Sequence, residues 1–206
     1  MRLVAIIAIG DSKWGQMALN CALSIKSHDF NQKIALITDG CATKGMEYDI
    51  ERFFDYQTIV NHKNCITPQE KSFYTKVNLY EIVFQMCHEA SEVIAIDADC
   101  IMIPSHGVSE WFDEHEGRIF TCWNKGVFDF STGKSTAEDY TFWCDPLEAK
   151  EYYGLVHPMP KTNSSFLYFS KCPLTSTLFS TAKKVWHEDR KSTRLNSSHL
   201  GISYAV

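Results

Sequence analysis

The stretch Val93-Ile94-Ala95-Ile96-Asp97-Ala98-Asp99-Cys100-Ile101-Met102-Ile103-Pro104 constrains this chain more than any other. Its lead-in is short, apolar and rich in β-branched residues, which predicts a strand buried on both faces. Aspartate is depleted in strands and costly to bury without a partner. Two aspartates where a buried strand ends therefore need a counter-charge, and a hard divalent cation with oxygen ligands supplies one. On an extended chain, side chains two residues apart leave the same face. Asp97 and Asp99 are thus expected to grip one ion together, directly or through water and phosphate. The alternative is a strand-end turn carrying two solvated acids.

The flanking segments read as alternating strands and helices, the pattern of an α/β fold. Leu3–Ile9 predicts strand one. A turn, Gly10-Asp11-Ser12, leads to a helix whose apolar residues Trp14, Met17, Ala18, Cys21, Ala22 and Ile25 share one face. Strand, glycine turn and helix open a βαβ unit, and helix N-termini favour phosphate. Trp14 is either core or a platform for a base. Lys33–Thr38 predicts strand two, closed by Asp39-Gly40; Asp39 either serves that turn or bonds a base or ribose. Glu47–Asp55 is polar, irregular or a short helix, and Tyr56–Val60 predicts strand three.

Thr67-Pro68-Gln69-Glu70 has the signature of a capping box with proline at the first helical position. The helix is expected to run unbroken to about His88, largely buried, with Lys76 a cation on an apolar element. That lysine either reaches a phosphate or sugar or snorkels to water. After the Asp97–Asp99 strand come a short helix at Val108–Phe112 and a strand at Arg118–Trp123. Asn124–Tyr140, with Gly, Ser, Thr and isolated aromatics, reads as an active-site loop. A helix starts at Asp145-Pro146 and stops at Gly154. His157-Pro158-Met159-Pro160 enforces extended backbone, and Asn163-Ser164-Ser165 leads into a strand at Phe166–Phe169. Pro173–Trp186 predicts an amphipathic helix with Leu174, Leu178, Phe179, Ala182 and Val185 inward.

Composition narrows the function classes. The 206 residues, 45 % hydrophobic, suit one domain with a sizeable core. A net charge of −5 argues against a nucleic-acid partner. No apolar run approaches the roughly 18–20 residues that span a bilayer. Met1–Ile9 is short and lacks a small-residue cleavage pattern, so it predicts a core strand and not a signal peptide. The eight cysteines are scattered with no C-x-x-C pair, and reduced thiols in a cytoplasmic protein are expected, with Cys100, Cys122 and Cys144 in apolar surroundings.

The last segment differs. Asp189–His199 has no strand or helix period and resembles the in-frame translation of a sequencing-library adapter. The expectation is a domain over 1–188, incomplete at its C-terminus, and a non-native tail over 189–206.

Four places together resemble a GT-A nucleotide-sugar glycosyltransferase of the glycogenin-like, family-8 type. Ala8–Ile25 is similar to that family's first strand, turn and helix, with Trp14 where an aromatic stacks on the base. Thr75-Lys76-Val77 resembles its T-K-L helix, whose lysine faces the nucleotide-sugar. Ile96-Asp97-Ala98-Asp99 resembles its metal-binding D-A-D, and Asn163-Ser164-Ser165-Phe166 its N-S-G-V/F strand start, with Ser165 replacing glycine. The resemblance implies a GT-A, Rossmann-like, mainly parallel mixed sheet flanked by helices in a single domain. It implies sugar transfer from a nucleoside diphosphate sugar to an acceptor hydroxyl, with retention of configuration, and Mn²⁺ or Mg²⁺ held by Asp97 and Asp99. The implied donor site is Ile9, Gly10, Asp11, Trp14, Asp39, Lys76, Asp97, Ala98, Asp99, Asn163 and Ser164. The family's C-terminal histidine ligand motif and its D-Q-G/N segment have no counterpart here, and His157 is the one histidine considered as a stand-in. Two rivals stand beside this reading: a haloacid-dehalogenase-type phosphatase with Asp97 as nucleophile, and a nucleotide-sugar-binding remnant without catalysis.

Overall fold

The structure is a computed structural model; it describes residues 1–102, 107–136, 147, 150, 151, 154 and 156–191, and leaves aside the side chains of 123–125, 159–163 and 189–191. One seven-stranded sheet runs in the order β3-β2-β1-β4-β7-β5-β6. Its strands are β1 (Arg2–Ala8), β2 (Lys33–Thr38), β3 (Tyr56–Ile59), β4 (Glu92–Asp97), β5 (Phe120–Asp129), β6 (Lys134–Ser135) and β7 (Met159–Ser170). β1 to β4 are mutually parallel, with Ile7 opposite both Ile37 and Asp97. β7 lies antiparallel between β4 and β5, which makes the sheet mixed.

Period-two alternation decides which side chains go where. From β1, Val4, Ile6 and Ala8 enter one core cluster, and Leu3, Ala5 and Ile7 enter the other on the opposite face. The first face is covered by α1 (Ser12–His28), through Ala18, Leu19, Cys21, Ala22 and Ile25, and by α5 (Val108–Glu114) through Phe112. The other is covered by α4 (Leu79–Met86), through Leu79, Val83 and Phe84, and by Phe179 of α6 (Pro173–Lys191). Two further helices are α2 (Glu47–Phe53) and α3 (Pro68–Val77).

Several sequence expectations need correction. The single helix expected from Thr67 to His88 is two helices, broken at Asn78. Asn78 has φ −104° and ψ 4°, its side chain donates to Tyr74 O at 2.6 Å, and Thr75 Oγ1 donates to Lys71 O at 2.8 Å. Such side-chain bonds compete with the helical ladder, which is why Asn favours helix ends. The loop expected from Asn124 begins as strand: β5 continues to Asp129 through two register shifts and pairs with β6. The Asp129 carboxylate accepts from Ser131 N and Oγ, and Gly133 at φ 66° completes the turn. On α6 the buried face is Thr175, Phe179, Ala182 and Trp186, whereas Leu174 is 60 % exposed. That helix continues through Lys191, three residues past Glu188. The expected helix from Asp145 to Tyr153, the Tyr140 end of the loop, Cys144 and the segment 192–206 lie mostly or wholly outside the described residues.

Candidate functional site

Strand order sets the location. The chain moves from β1 outward through β2 to β3, then returns to place β4 on the other side of β1. In open α/β sheets a crevice forms outside the carboxyl ends of the strands where the order reverses, and ligands bind there. A cavity of about 520 Å³ occupies that position, lined by Ile7 and Ile9 from β1 and its exit, Trp14 from α1, Asp97, Ala98 and Asp99 from β4 and its exit, and Thr67, Pro68, Gln69 and Ser72 around the start of α3. The volume suits a small-molecule ligand.

Asp97 is the last residue of β4, and Ala98 and Asp99 form a turn, with Cys100 N donating to Asp97 O at 3.1 Å. The two carboxylates therefore do not share a face of an extended strand, as their spacing suggested; the turn brings both to the same cavity. Asp99 is exposed and, among the described residues, has no hydrogen bond or ion pair. Asp97 is held differently: Lys76 Nζ lies 2.7 Å from Oδ1 and 2.8 Å from Oδ2. Lys76 Nζ also donates to Ser164 Oγ on β7 at 3.2 Å. Its side chain is 5 % exposed, so it neither snorkels nor stands free.

The acids raise the proton affinity of thiols nearby. Burial first, then the charges of Asp97 and Asp99, push the Cys100 thiol up to about 11. Burial, Cys100 and Asp99 push the Cys21 thiol up to about 12.

Trp14 packs on the first core cluster, as the core reading expects, and also lines the cavity. Gly10 supports it from behind: φ is +119°, and a Cβ there would stand 3.1 Å from Trp14 Cδ1. Asp11 is the N-cap of α1, accepting from Lys13 N at 3.1 Å. Asp39 Oδ1 accepts from Gly10, Cys41 and Ala42 N–H at 3.4, 3.2 and 3.4 Å, and Oδ2 faces Lys71 Nζ at 3.6 Å. These contacts tie the turns after β1 and β2 to α3 and leave the Asp39 side chain 5 % exposed. Asn163 falls on β7, its side chain outside the described residues. His157 is exposed, and no group of three or more His, Cys, Asp or Glu fit to hold a metal occurs among the described residues. Pro68, Gln69 and Ser72 line the cavity although the sequence reading treated Thr67–Glu70 only as a helix start.

Solved structures with the same architecture are glycosyltransferases. Mouse xyloside xylosyltransferase 1 in its apo form matches 98 % of this chain and 79 % of its own, at 12 % identity and TM-score 0.54. The bifunctional glycosyltransferase WbbM, also apo, matches 89 % of this chain and 34 % of its own, at 12 % identity and TM-score 0.53. The galactosyltransferase LgtC, in complex with donor and acceptor sugar analogs, matches 96 % of this chain and 68 % of its own, at 12 % identity and TM-score 0.50. At such identities the likeness is one of fold, and the fold is GT-A. No protein-family model and no curated protein matches the sequence. Among the described residues no helix is long and apolar enough to cross a membrane.

Proposed function

We propose that this chain transfers a sugar from a nucleoside diphosphate sugar to an acceptor hydroxyl, with a divalent cation held by Asp97 and Asp99. One observation carries the reading. Two carboxylates, a stacking-capable indole and, behind Asp97, a buried ammonium converge on one cavity at the point where the strand order reverses. The GT-A fold supports it, as do the motifs around Lys76 and Asp97.

The donor set fits a hard cation: two carboxylates, with Asp99 unpaired among the described residues and diphosphate oxygens completing the sphere. When bound, Mn²⁺ or Mg²⁺ supplies positive charge against the diphosphate as it leaves. Trp14 offers a face to the base. Thr67, Gln69 and Ser72 supply polar groups from the start of α3. Lys76, held by Asp97 and Ser164 in the free protein, adds positive charge near the departing diphosphate. The likeness to glycogenin-like enzymes extends the proposal to retention of configuration, read from the anomeric signals of the product. The phosphatase alternative has no observation of its own in its favour.

The test is Mn²⁺-dependent hydrolysis or transfer from a panel of nucleotide sugars, with Asp99→Ala as control. Metal-dependent turnover lost in Asp99→Ala supports the proposal. Turnover undiminished in that variant rejects the metal role, and metal-dependent nucleotide binding without turnover selects the non-catalytic remnant.

A further inference from the structure

The two carboxylates of the cavity are not equivalent. Both oxygens of Asp97 lie against one buried ammonium, at 2.7 and 2.8 Å, and that ammonium also reaches Ser164 Oγ at 3.2 Å. A lysine has three N–H donors and no acceptor, so Lys76 is saturated. A divalent cation arriving alone meets one carboxylate, Asp99, that has no partner among the described residues, and one already neutralised. It also meets a positive charge that packing holds in place, since the Lys76 side chain is 5 % exposed. Like charges repel more strongly away from bulk water, and one carboxylate with water makes a poor site for Mn²⁺ or Mg²⁺. Phosphate oxygens in the cavity reverse the balance, because their negative charge attracts the metal and Lys76 alike.

We propose that Lys76 gates the metal site: by clamping Asp97 it keeps the carboxylate pair from holding a divalent cation until a nucleoside diphosphate is present, so that metal and donor load together. This rests on the reading of the cavity as a nucleotide-sugar site. Lys76 here is a positioning residue that acts through Asp97.

The experiment titrates the full chain with Mn²⁺, read by the electron paramagnetic resonance signal of the free ion, with and without UDP, GDP, ADP or CDP. In the wild type, one nucleoside diphosphate should tighten Mn²⁺ at least about tenfold, a common size for coupling between two ligands. Lys76→Met should bind Mn²⁺ alone at least about tenfold tighter than the wild type, and the gain from the nucleotide should shrink correspondingly. Lys76→Arg keeps the charge and should keep the gate. Should Lys76→Met fail to fold, Lys76→Gln retains an N–H toward Asp97 and carries the same expectation. Equal or weaker Mn²⁺ binding by the uncharged variants overturns the gate. If those variants bind Mn²⁺ tighter but no nucleotide affects the wild type, Lys76 only blocks the metal: its release by a nucleoside diphosphate is overturned, and the donor reading falls with it.

Discussion

Gly15→Ala tests the close approach of α1, the helix that carries Trp14, to the turn after β2. Gly15 is a buried position in α1, where helix and β2 exit turn meet. A Cβ there would stand 2.0 Å from Ala42 O and 2.9 Å from Ala42 C, where ordinary contact begins near 3.4 Å. The obstacle is backbone, and it is tied: Ala42 is fully buried and its N–H reaches Asp39 Oδ1 at 3.4 Å. Overpacking against such a wall falls at the upper end of its usual range, about 3 kcal/mol. Alanine gains about 1 kcal/mol over glycine as a helix former. The net is destabilisation by about 2 kcal/mol, which for a chain of this length lowers Tm by about 4–8 °C. Thermal unfolding followed by far-ultraviolet circular dichroism measures it. Gly45→Ala is the comparison, because Gly45 has φ +80° but nothing within 4 Å of its added Cβ, so only backbone strain is felt. A Gly15→Ala protein as stable as wild type would refute the close approach of α1 to that turn.

Trp14→Ala should weaken nucleoside diphosphate binding by about 1–3 kcal/mol, the usual contribution of a base–aromatic stack, as measured by calorimetry with Mn²⁺ present; unchanged affinity would remove the indole from the site. Asp55 gives a pH test. Burial works to raise its carboxyl, but bonds from Lys33 at 2.6 Å, Ile34 N at 3.0 Å and Lys26 at 3.1 Å outweigh this and hold it below the usual carboxylate value. The stability it contributes is full above the unfolded-chain value of about 3.9 and fades as pH falls through the lower folded value. Asp55→Asn should therefore lower Tm at neutral pH, with the gap closing in acid; a gap independent of pH would contradict the assignment. Thiol labelling reads burial. Hydrogen bonds from Thr175 hold the Cys172 thiol below its ordinary value, while Cys21 and Cys100 are pushed up to about 12 and about 11. At neutral pH iodoacetamide should modify Cys172 and exposed Cys41 well before Cys21 and Cys100, as peptide mass spectrometry will show.

The sheet was legible wherever one strand carries its own burial signal. β2 matches its expected span, and β1 and β4 fall within one residue of theirs at the N-terminal end, because continuous β-branched runs have no other stable use in a chain of this size. The failures share a cause. The break at Asn78 depends on a side-chain bond to Tyr74 O and on the burial of Leu79 and Val83 against the second core face. The apolar stripe that crosses it reads the same for one helix or two. β5 was missed beyond Trp123 because its bulges interrupt the alternation on which strand recognition depends. Leu174 was placed inward by period alone, whereas Thr175 takes the buried place and spends its hydroxyl on Ile119 O at 3.3 Å.

The site divides along the same line. That a half-buried acid at the end of β4, Asp97, calls for a counter-charge follows from desolvation, whereas exposed Asp99 makes no such demand. Which cation answers it does not follow, because a divalent ion and a lysine satisfy the same electrostatics. In the fold the two aspartates differ. Asp97 is served by Lys76, twenty-one residues earlier in sequence and set on α3 just before its break. Asp99, past the turn, remains open to the cavity. The break at Asn78 lies two residues from the lysine whose contact distinguishes Asp97 from Asp99, so what sets the two acids apart comes from α3 as well as from the D-A-D itself.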